Sequence, residues 1–334
     1  MNSNSKLLRA GYAETVITPP VGFVIDGPEH PRRGAKDVTD DLLGRVLILE
    51  AGGDRAVIVT LDVWGVSERF NHSLTKCVSL NAEVDESLVW VAVSGNATSP
   101  PLWDDGNVAY AEYAAYVPQQ LGGAAALALS RMQDAELGFA TAFLPDLATS
   151  IEGRTQDLNE TVPIMIVDGV SGPIVRVFSF SCPGSVIGGN SYGWTADYPG
   201  YACWALSEAS GAESCMFVAG ASSDIRPFDW YPDNVAPTHV DRSAADVQAL
   251  GWLLAAQAGV ASQGALLRRN IEIKAVCGHS SDPKLGTTKS LSIGQGLFES
   301  FTNPLPSSFG TSQAEMYPDR VVFTCANLGG DPFT

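Results

Sequence analysis

The amino-acid sequence predicts an α/β protein, with mixed β-sheets flanked by helices in a single compact domain. Short runs of β-branched residues bounded by turn residues are typical of strands, and longer segments carry apolar residues at helical spacing. The 334 residues are 45% hydrophobic, which is enough apolar material for a sizeable core. No internal repeat or low-complexity linker divides the chain. We therefore expect one domain over residues 1–334.

The N-terminal part predicts a strand-rich beginning followed by helices. Strands are expected over residues 11–20, 45–50, 56–62 and 88–93, and helices over residues 67–80 and 110–132. The first strand stops at Thr18-Pro19-Pro20, since two prolines break regular structure. Gly52-Gly53-Asp54 separates two β-branched runs and predicts a hairpin turn. Pro118 predicts a bend in the alanine-rich second helix.

The rest of the chain predicts strands with fewer helices between them. Strands are expected over residues 137–144, 162–167, 174–180, 215–219, 268–275 and 319–328, and helices over residues 198–210 and 240–261. The second of these helices carries apolar residues on one side, at Val247, Leu250, Leu253 and Leu254. Residues 277–318 are rich in Ser, Gly, Pro and Thr and give no clear element, so we expect a long excursion over the surface or the site.

The composition excludes several classes of function. A formal net charge of -17 disfavours binding to nucleic acid or to anionic lipid surfaces, both of which reward Lys and Arg clusters. The six cysteines form no C-x-x-C pair, so neither a disulfide framework nor a zinc ribbon is indicated. No uncharged apolar stretch is long enough for a membrane segment. A cytoplasmic location is the default expectation, with secretion as the alternative if a signal peptide has been removed.

Strands that end in loops of small polar residues predict the position of a functional site. The strand over residues 88–93 runs into residues 94–101 (SGNATSPP). Residues 181–184 (SCPG) and 220–227 (GASSDIRP) follow two later strands in the same way. Because a sheet fixes such loops at its rim, we expect them to converge on one site.

Several short motifs are spread along nearly the whole chain. They are AGYA at residues 10–13, ITPPVG at 17–22, DDL at 40–42, TLD at 60–62, GPI at 172–174, CP at 182–183, ADYPG at 196–200 and GDPFT at 330–334. In their order and spacing these motifs resemble the N-terminal catalytic domain of the neutral/alkaline, non-lysosomal ceramidase family.

This resemblance implies a zinc amidohydrolase whose metal ligands are changed in this chain. The family's metal turn carries a His-x-His pair, and Asn96 and Thr98 stand at its two positions. Cys182 corresponds to the histidine of a His-Pro pair, Arg226 to a serine in a Gly-Asp-x-Ser-Pro loop, and Asp331 to a late glutamate. The chain then ends before the C-terminal portion in which the family carries a tyrosine ligand. We accordingly expect a ceramidase-like catalytic domain that lacks this C-terminal portion.

Ligand chemistry makes the family's zinc site improbable here. A catalytic zinc needs about three protein ligands from imidazole, thiolate and carboxylate, and Asn and Thr are poor substitutes. The four histidines fall at no spacing that rebuilds a motif. We therefore expect neither a metal nor another cofactor at this position.

The candidate site residues come from the loops that match the family. The expected catalytic residues are Asp224, Arg226, Cys182 and Asp331, and the expected substrate-binding residues are Asn96, Thr98, Ser99, Arg33, Asp197 and Trp194. A structural role stays open for each kind of residue. The turn residues commonly bond their own backbone, Cys182 without a base such as His239 beside it would be a buried inert thiol, and Arg226 would otherwise pair with Asp224 or Asp197.

Three functions are consistent with these residues. The first is a hydrolase-like enzyme that acts without zinc on a small or carbohydrate-like substrate, through Asp, Arg and Cys groups. The second is a catalytically inactive binding subunit that keeps the fold and the pocket. The third, a true zinc-dependent ceramidase, would require the metal site to be rebuilt. Besides a small-molecule substrate, the expected partner is either a second copy of the chain or a separate chain that supplies the missing C-terminal portion.

Overall fold

The computed structural model describes residues 7–25, 33–100, 102, 108–151, 158–187, 191–227, 243–276, 285 and 288–326. Its strands are β1 (Arg9–Val16), β2 (Val24–Ile25), β3 (Arg33–Gly34), β4 (Asp37–Val38), β5 (Leu43–Ala51), β6 (Asp54–Leu61), β7 (Val89–Val93), β8 (Gln133–Phe143), β9 (Ala148–Ser150), β10 (Thr161–Gly169), β11 (Gly172–Phe180), β12 (Gly193–Trp194), β13 (Ser214–Ala219), β14 (Ile225–Pro227), β15 (Ile273–Val276), β16 (Thr288–Ile293), β17 (Gly296–Phe301) and β18 (Val321–Cys325). Its helices are α1 (Glu68–Ala82), α2 (Val108–Ser130), α3 (Asp197–Ser210), α4 (Ala244–Ser262) and α5 (Ser307–Met316).

An eight-stranded mixed sheet forms the centre of the molecule, in the order β13-β11-β10-β8-β1-β5-β6-β7. The pairs at its two ends, β11 with β13 and β6 with β7, are parallel, and the inner pairs are antiparallel. Strands β5 and β6 form the predicted hairpin. Gly52 and Gly53 both adopt positive φ in its turn, at 69° and 93°, which glycine tolerates without steric cost.

The two edge strands of this sheet approach each other at one end. A Cβ added at Gly95, just after β7, would lie 3.3 Å from Ala219 Cβ at the end of β13 and 3.3 Å from Pro183 Cα after β11. Ala97 N donates to Gly184 O at 2.9 Å. The carboxyl ends of β7, β11 and β13 therefore lie together, and the polar loops that follow them meet there.

Helices α1 and α2 cover the half of the sheet that contains β1 and β5. A Cβ at Gly11 in β1 would lie 2.1 Å from Ala128 O in α2, so glycine is needed for this close approach. Helix α1 begins at Ser67, whose Oγ accepts from Phe70 N at 3.1 Å. Buried side chains of both helices, among them Leu74 and Leu121, join the core of the sheet.

Helices α3 and α4 cover the half that contains β10, β11 and β13. Phe178 and Phe217 from the sheet pack edge-to-face, and Phe217 meets Tyr198 of α3 in the same way. The two helices cross closely at Gly251, where a Cβ would lie 3.1 Å from Ala202 N. Apolar side chains from both helices and these strands form a second cluster of the core.

A second sheet, in the order β15-β16-β17-β18, packs against β7. Phe298 of β17 meets Trp90 of β7 edge-to-face, with ring centroids 5.2 Å apart. The prediction of no clear element over residues 277–318 was therefore wrong, since β16, β17 and α5 lie there. Serines alternate with buried Leu291 and Ile293 along β16, and this half-buried alternation is masked by the polar composition.

The predicted α/β class with mixed sheets and flanking helices is confirmed, and most predicted elements are present. Helix α4 begins at Ala244, and residues 240–242 of its predicted range lie outside the described residues. The strand expected over residues 268–275 begins later, at Ile273. Within the described part of the chain, the search for a helix with the length and hydropathy of a membrane span finds none.

Candidate functional site

The strand-end turn, residues 94–99, lies at the junction of the polar loops. It is held by backbone hydrogen bonds from neighbouring strand ends, with Ser94 N donating to Leu61 O at 3.0 Å and Asn96 N to Val63 O at 3.1 Å. The side chains of Ser94, Asn96, Thr98 and Ser99 have no exposed surface. The structure therefore places these polar residues inside the protein, where each polar atom needs a partner.

The Asn96 amide joins three segments of the chain. Its Nδ2 donates to Asp62 O at 3.2 Å and to Thr195 O at 2.8 Å, and its Oδ1 accepts from Thr98 N at 3.1 Å. The Thr98 hydroxyl lies 2.9 Å from Asn96 Oδ1 and 2.6 Å from Thr195 O. Both side chains expected to bind substrate thus have partners within the protein itself.

Ser99 also bonds within the protein. Its Oγ accepts from Trp64 N at 2.9 Å, which ties the turn to the segment after β6. The turn residues were expected either to contact a ligand or to bond backbone groups, and the geometry shows the backbone bonds.

Asp197 occupies the first residue of α3 with a positive φ of 53°. Its carboxylate accepts from Val186 N at 3.1 Å, Ile187 N at 3.0 Å and Tyr198 N at 2.7 Å. A carboxylate at a helix N-terminus is favoured by the helix dipole and by the free N–H groups of the first turn. Asp197 therefore fixes the loop after β11 against the start of α3.

Asp40 is a buried neighbour of the turn. Its Oδ2 accepts from Thr195 Oγ1 and its Oδ1 from Ala196 N, both at 2.6 Å. Burial raises the pKa of the Asp40 carboxyl above its ordinary value of 3.8, although these two hydrogen bonds oppose the shift. Asp40 thus positions Thr195, whose carbonyl oxygen receives the Asn96 amide.

A buried ion pair supports the turn from the side of β5 and β6. Arg45 Nη1 lies 2.8 Å from Asp62 Oδ1 and 2.9 Å from Oδ2, and both side chains are 3% exposed. Asp62 Oδ2 also accepts from Leu43 N at 3.0 Å. Burial alone would lower the pKa of Arg45, but the adjacent Asp62 carboxylate raises it above its ordinary value. Sequence reasoning singled out Asp62 in the TLD motif and as a candidate carboxylate, but it did not pair Asp62 with Arg45.

Cys182 and Trp194 are both completely buried next to the turn. Cys182 Sγ lies 3.8 Å from Pro183 O, and Cys182 O accepts from Tyr198 Oη at 2.6 Å. His239, the base considered for this thiol, lies outside the described residues. Trp194 is in β12, which pairs with β4.

Three donors close to this region are buried without a hydrogen-bond partner in the described part of the chain. They are the indole Nε1 of Trp64, the indole Nε1 of Trp194 and the hydroxyl of Ser94. A buried donor without an acceptor costs about 1–3 kcal/mol. Acceptor oxygens of a bound molecule or of water would remove this cost.

Arg33 lies at the edge of this cluster, in β3. Its Nη2 donates to Ser191 O at 2.8 Å, and its guanidinium lies 3.6 Å from the centroid of the Tyr192 ring. Residues 191–192 lead directly into β12 and Trp194. The structure therefore groups Asn96, Thr98, Ser99, Cys182, Trp194 and Asp197 around the turn, and Arg33 contacts the segment that leads into β12.

Asp224 and Arg226 lie in or next to β14, a segment that contacts both β9 and the start of α5. Asp224 Oδ1 accepts from Ser307 N, the first residue of α5, at 2.7 Å, and Asp224 O accepts from Ile151 N at 2.8 Å. Arg226 is opposite Thr149 in the β14–β9 pair and is exposed. Asp331 lies outside the described residues.

The zinc that the family resemblance implies does not fit the donors of the turn. The amide of Asn96 and the hydroxyl of Thr98 are weak ligands that already hydrogen-bond within the protein. Among the residues that the structure describes, no group of three or more His, Cys, Asp and Glu side chains could hold a metal ion.

Comparisons with known proteins give a likeness of structure alone. No protein-family model matches the sequence, and no curated protein matches it. The fold is similar to the crystal structure of neutral ceramidase from Pseudomonas aeruginosa, with a TM-score of 0.76 and 12% identity over 97% of this chain and 68% of that one. It is also similar to a ceramidase complexed with C2, with a TM-score of 0.75 and 11% identity over 97% of this chain and 69% of that one. The chain therefore has a fold like that of neutral ceramidases.

Proposed function

We propose that this chain is a ceramidase-like protein that binds a small, acceptor-rich molecule at the strand-end turn and does not hydrolyse amides through zinc. The loss of zinc chemistry rests on the hydrogen bonding of Asn96 and Thr98 to each other and to Thr195 O. These bonds engage the side chains that stand at the family's two histidine positions. The ligand rests on the unpartnered donors Ser94 Oγ, Trp64 Nε1 and Trp194 Nε1. Of the alternatives consistent with the sequence, the catalytically inactive binding subunit agrees best with this geometry.

The unpartnered donors near the turn support a ligand that carries several oxygen acceptors. Ser94 Oγ and the indoles of Trp64 and Trp194 can donate to hydroxyl or carbonyl oxygens, as a carbohydrate-like molecule would supply. Arg33 at the edge of the cluster adds a planar donor group that suits the same oxygens.

Metal analysis tests the loss of zinc. The protein is purified without chelators from zinc-supplemented medium and its metal content is measured by mass spectrometry. We expect far less than one zinc ion per chain and no release of fatty acid from an N-acyl amide substrate. One tightly bound zinc ion per chain would overturn the proposal.

Ligand binding is tested with a panel of neutral mono- and disaccharides by thermal shift and calorimetry. A sugar that binds should bind Trp194→Phe less tightly, because this change removes the indole donor and keeps an aromatic ring. Trp90→Phe is the matched control, since Trp90 is equally buried and its Nε1 is also unpartnered, but it packs against Phe298. Equal binding by both variants would exclude Trp194 from the site.

A metal-independent hydrolase is the second candidate, and the exposure of Arg226 beside Asp224 supports it. A screen of ester, amide and glycoside substrates would detect turnover. If turnover falls in Arg226→Ala and Asp224→Asn, the hydrolase is supported over the binding protein. The oligomeric state, a partner chain and the cytoplasmic location stay predictions.

A further inference from the structure

A large groove lies away from the strand-end turn, between the C-terminal halves of α3 and α4 and above β10 and β11. Its volume is about 880 Å³. Small residues shape its walls, because alanine and glycine on facing helices leave space beside the backbone. The wall residues from the two helices include Ala205, Ala209, Ala256, Gly259 and Val260.

Two tryptophans flank this groove. Trp204 is 51% exposed and Trp252 is 59% exposed, although both are large apolar side chains. Trp252 Nε1 donates to Tyr201 Oη at 2.7 Å, which orients its ring. Exposed aromatic rings beside an apolar concavity are typical of ligand sites, where they supply rigid contact area.

A buried guanidinium lines the same groove. Arg176 of β11 is 6% exposed. All its side-chain hydrogen bonds within the described residues pass through Nη1, to Asp168 Oδ1 at 2.6 Å, to Val175 O at 3.2 Å and to Val167 O at 3.3 Å. Its Nε is buried without a partner, and its Nη2, which is not among the completely buried atoms, makes no hydrogen bond to the described residues. A cationic N–H group is left without an acceptor, which is costly in an apolar setting.

The charges around the groove restrict the ligand. The ionisable residues that line it are Arg176, Asp168 and Glu208, so two carboxylates outnumber one cation. The whole chain also carries a net charge of -17. Both facts disfavour an anion, although the free donor of Arg176 still favours an oxygen acceptor. A neutral carbonyl oxygen meets both conditions.

We propose that the α3–α4 groove binds an uncharged, mainly apolar small molecule whose carbonyl oxygen accepts a hydrogen bond from Arg176. The apolar part of the molecule lies along the alanine and glycine faces between Trp204 and Trp252. The groove volume falls within the range of about 300–1,000 Å³ that is usual for small-molecule pockets. This site shares no residue with the strand-end turn and does not depend on the function proposed for that turn.

Calorimetry and indole fluorescence with 2-octanone test this proposal, with octanoate and octylamine as charged probes of the same chain length. We expect 2-octanone to bind with at least tenfold higher affinity than octanoate and to change the tryptophan emission. Octylamine should also bind less tightly than 2-octanone, because Arg176 would face an ammonium group. An equal or stronger affinity for either charged probe, or no binding of 2-octanone, would overturn the proposal.

A matched pair of variants on α4 locates the site without touching the core. Ala256→Trp fills the groove from an exposed helical position, and Gln257→Trp adds the same side chain at an exposed position outside the groove lining. We expect at least a tenfold loss of 2-octanone affinity in the first variant and no change in the second. Similar affinity in both would place the ligand elsewhere.

Arg176→Met tests the role of the guanidinium. This change should lower the affinity for 2-octanone about tenfold, which corresponds to about 1.4 kcal/mol. The affinity for 1-chloroheptane, which has no carbonyl oxygen, should stay at the wild-type value. Equal losses for both molecules would refute the hydrogen bond. If Arg176→Met does not fold, the two α4 variants and the charged probes test the proposal in its place. Sedimentation without ligand completes the test, since a dimer that Ala256→Trp disrupts and that blocks 2-octanone binding would assign this face to a second copy of the chain and overturn the proposal.

Discussion

The strand-end turn and the α3–α4 groove carry opposite combinations of polarity and accessibility. The turn is rich in polar side chains, yet Asn96 and Thr98 are fully buried and bonded to the protein. The groove is mainly apolar, yet it is open and contains a guanidinium with unused donor capacity. The comparison teaches that residue type alone does not identify a binding group. A polar side chain is available to a ligand only if the fold leaves its donor or acceptor atoms without partners.

The largest expected effect concerns the ion pair that supports the turn. Asp62→Asn leaves the buried Arg45 charge with only the partly exposed Glu14 carboxylate, 3.9 Å away, and we expect a loss of about 3–5 kcal/mol in the free energy of unfolding. Chemical denaturation measures this loss. Glu50→Gln is the control, because its bond to Arg9 spans 3.4 Å and involves partly exposed side chains, and its bond to Arg55 is also near the surface. A loss below that of the control would show that the turn does not depend on Asp62.

Asn96→Ala should have the next largest effect. It leaves the buried Thr195 O and Thr98 N with fewer partners, so we expect a loss of about 1–3 kcal/mol in the free energy of unfolding. Asn81→Ala is the matched control, since Asn81 is exposed and only donates to Cys77 O within α1. It should change stability by about 0.5 kcal/mol or less. Equal stabilities of the two variants would indicate that Asn96 is free to bind a ligand.

The pH dependence of stability provides a third, smaller effect. The folded state raises the pKa of Asp40 above 3.8, so it holds the proton more tightly than the unfolded state does. The stability that Asp40 contributes is therefore present at low pH and is lost as the pH rises through the folded pKa. In Asp40→Asn this contribution disappears, and denaturation midpoints should fall less with rising pH than in the wild type.

Asp85 supplies the control of opposite sign. Hydrogen bonds from Ser87 lower the pKa of the Asp85 carboxyl, so its contribution is present at higher pH and is lost as the pH falls. The stability of Asp85→Asn should therefore rise less with increasing pH than that of the wild type. The same direction of change in both variants would contradict the burial of Asp40 beside the turn.

The smallest expected effect lies in the groove. Val260 is 73% exposed on α4, and Val260→Gln should change the free energy of unfolding by about 0.5 kcal/mol or less. Thermal denaturation checks this, and 2-octanone affinity should nevertheless fall because a polar side chain enters the apolar wall. A large loss of stability would mean that the groove is part of the packed core and is not a binding surface.

The sequence was sufficient for the fold class and for most strands and helices. Runs such as those of β5, β6 and β11 are β-branched and bounded by turns, so local pattern identifies them. The sequence pattern failed over residues 277–318, where partly buried serines on the other face of β16 hide Leu291 and Ile293. The strand β16 forms because these two side chains are buried in the core beside β7, which is distant in the chain, and a local sequence pattern does not show this.

The meeting of the polar loops was predictable from the sequence, and their hydrogen bonding was less so. The convergence of the loops after β7, β11 and β13 follows from strands that end in small polar residues. The hydrogen-bond partner of Asn96 is Thr195, 99 residues away in the chain, and no local pattern predicts that contact. The groove escaped detection for a similar reason, since its alanines and glycines also serve helix formation and Arg176 interrupts an apolar strand without any motif.

The place of β1 in the sheet has a consequence for biosynthesis. This strand lies between β5 and β8, and Arg9 pairs with both Glu50 and Asp134. A nascent chain can form the hairpin of β5 and β6 and add β1 early, but β8 is translated only after α1 and α2. Arg9 and Ala10 are the residues of β1 that pair with β8, so this end of the strand must wait for a distant segment, and such non-local pairing slows folding. We expect the ribosome-bound N-terminal part to need protection from edge-to-edge association until β8 emerges.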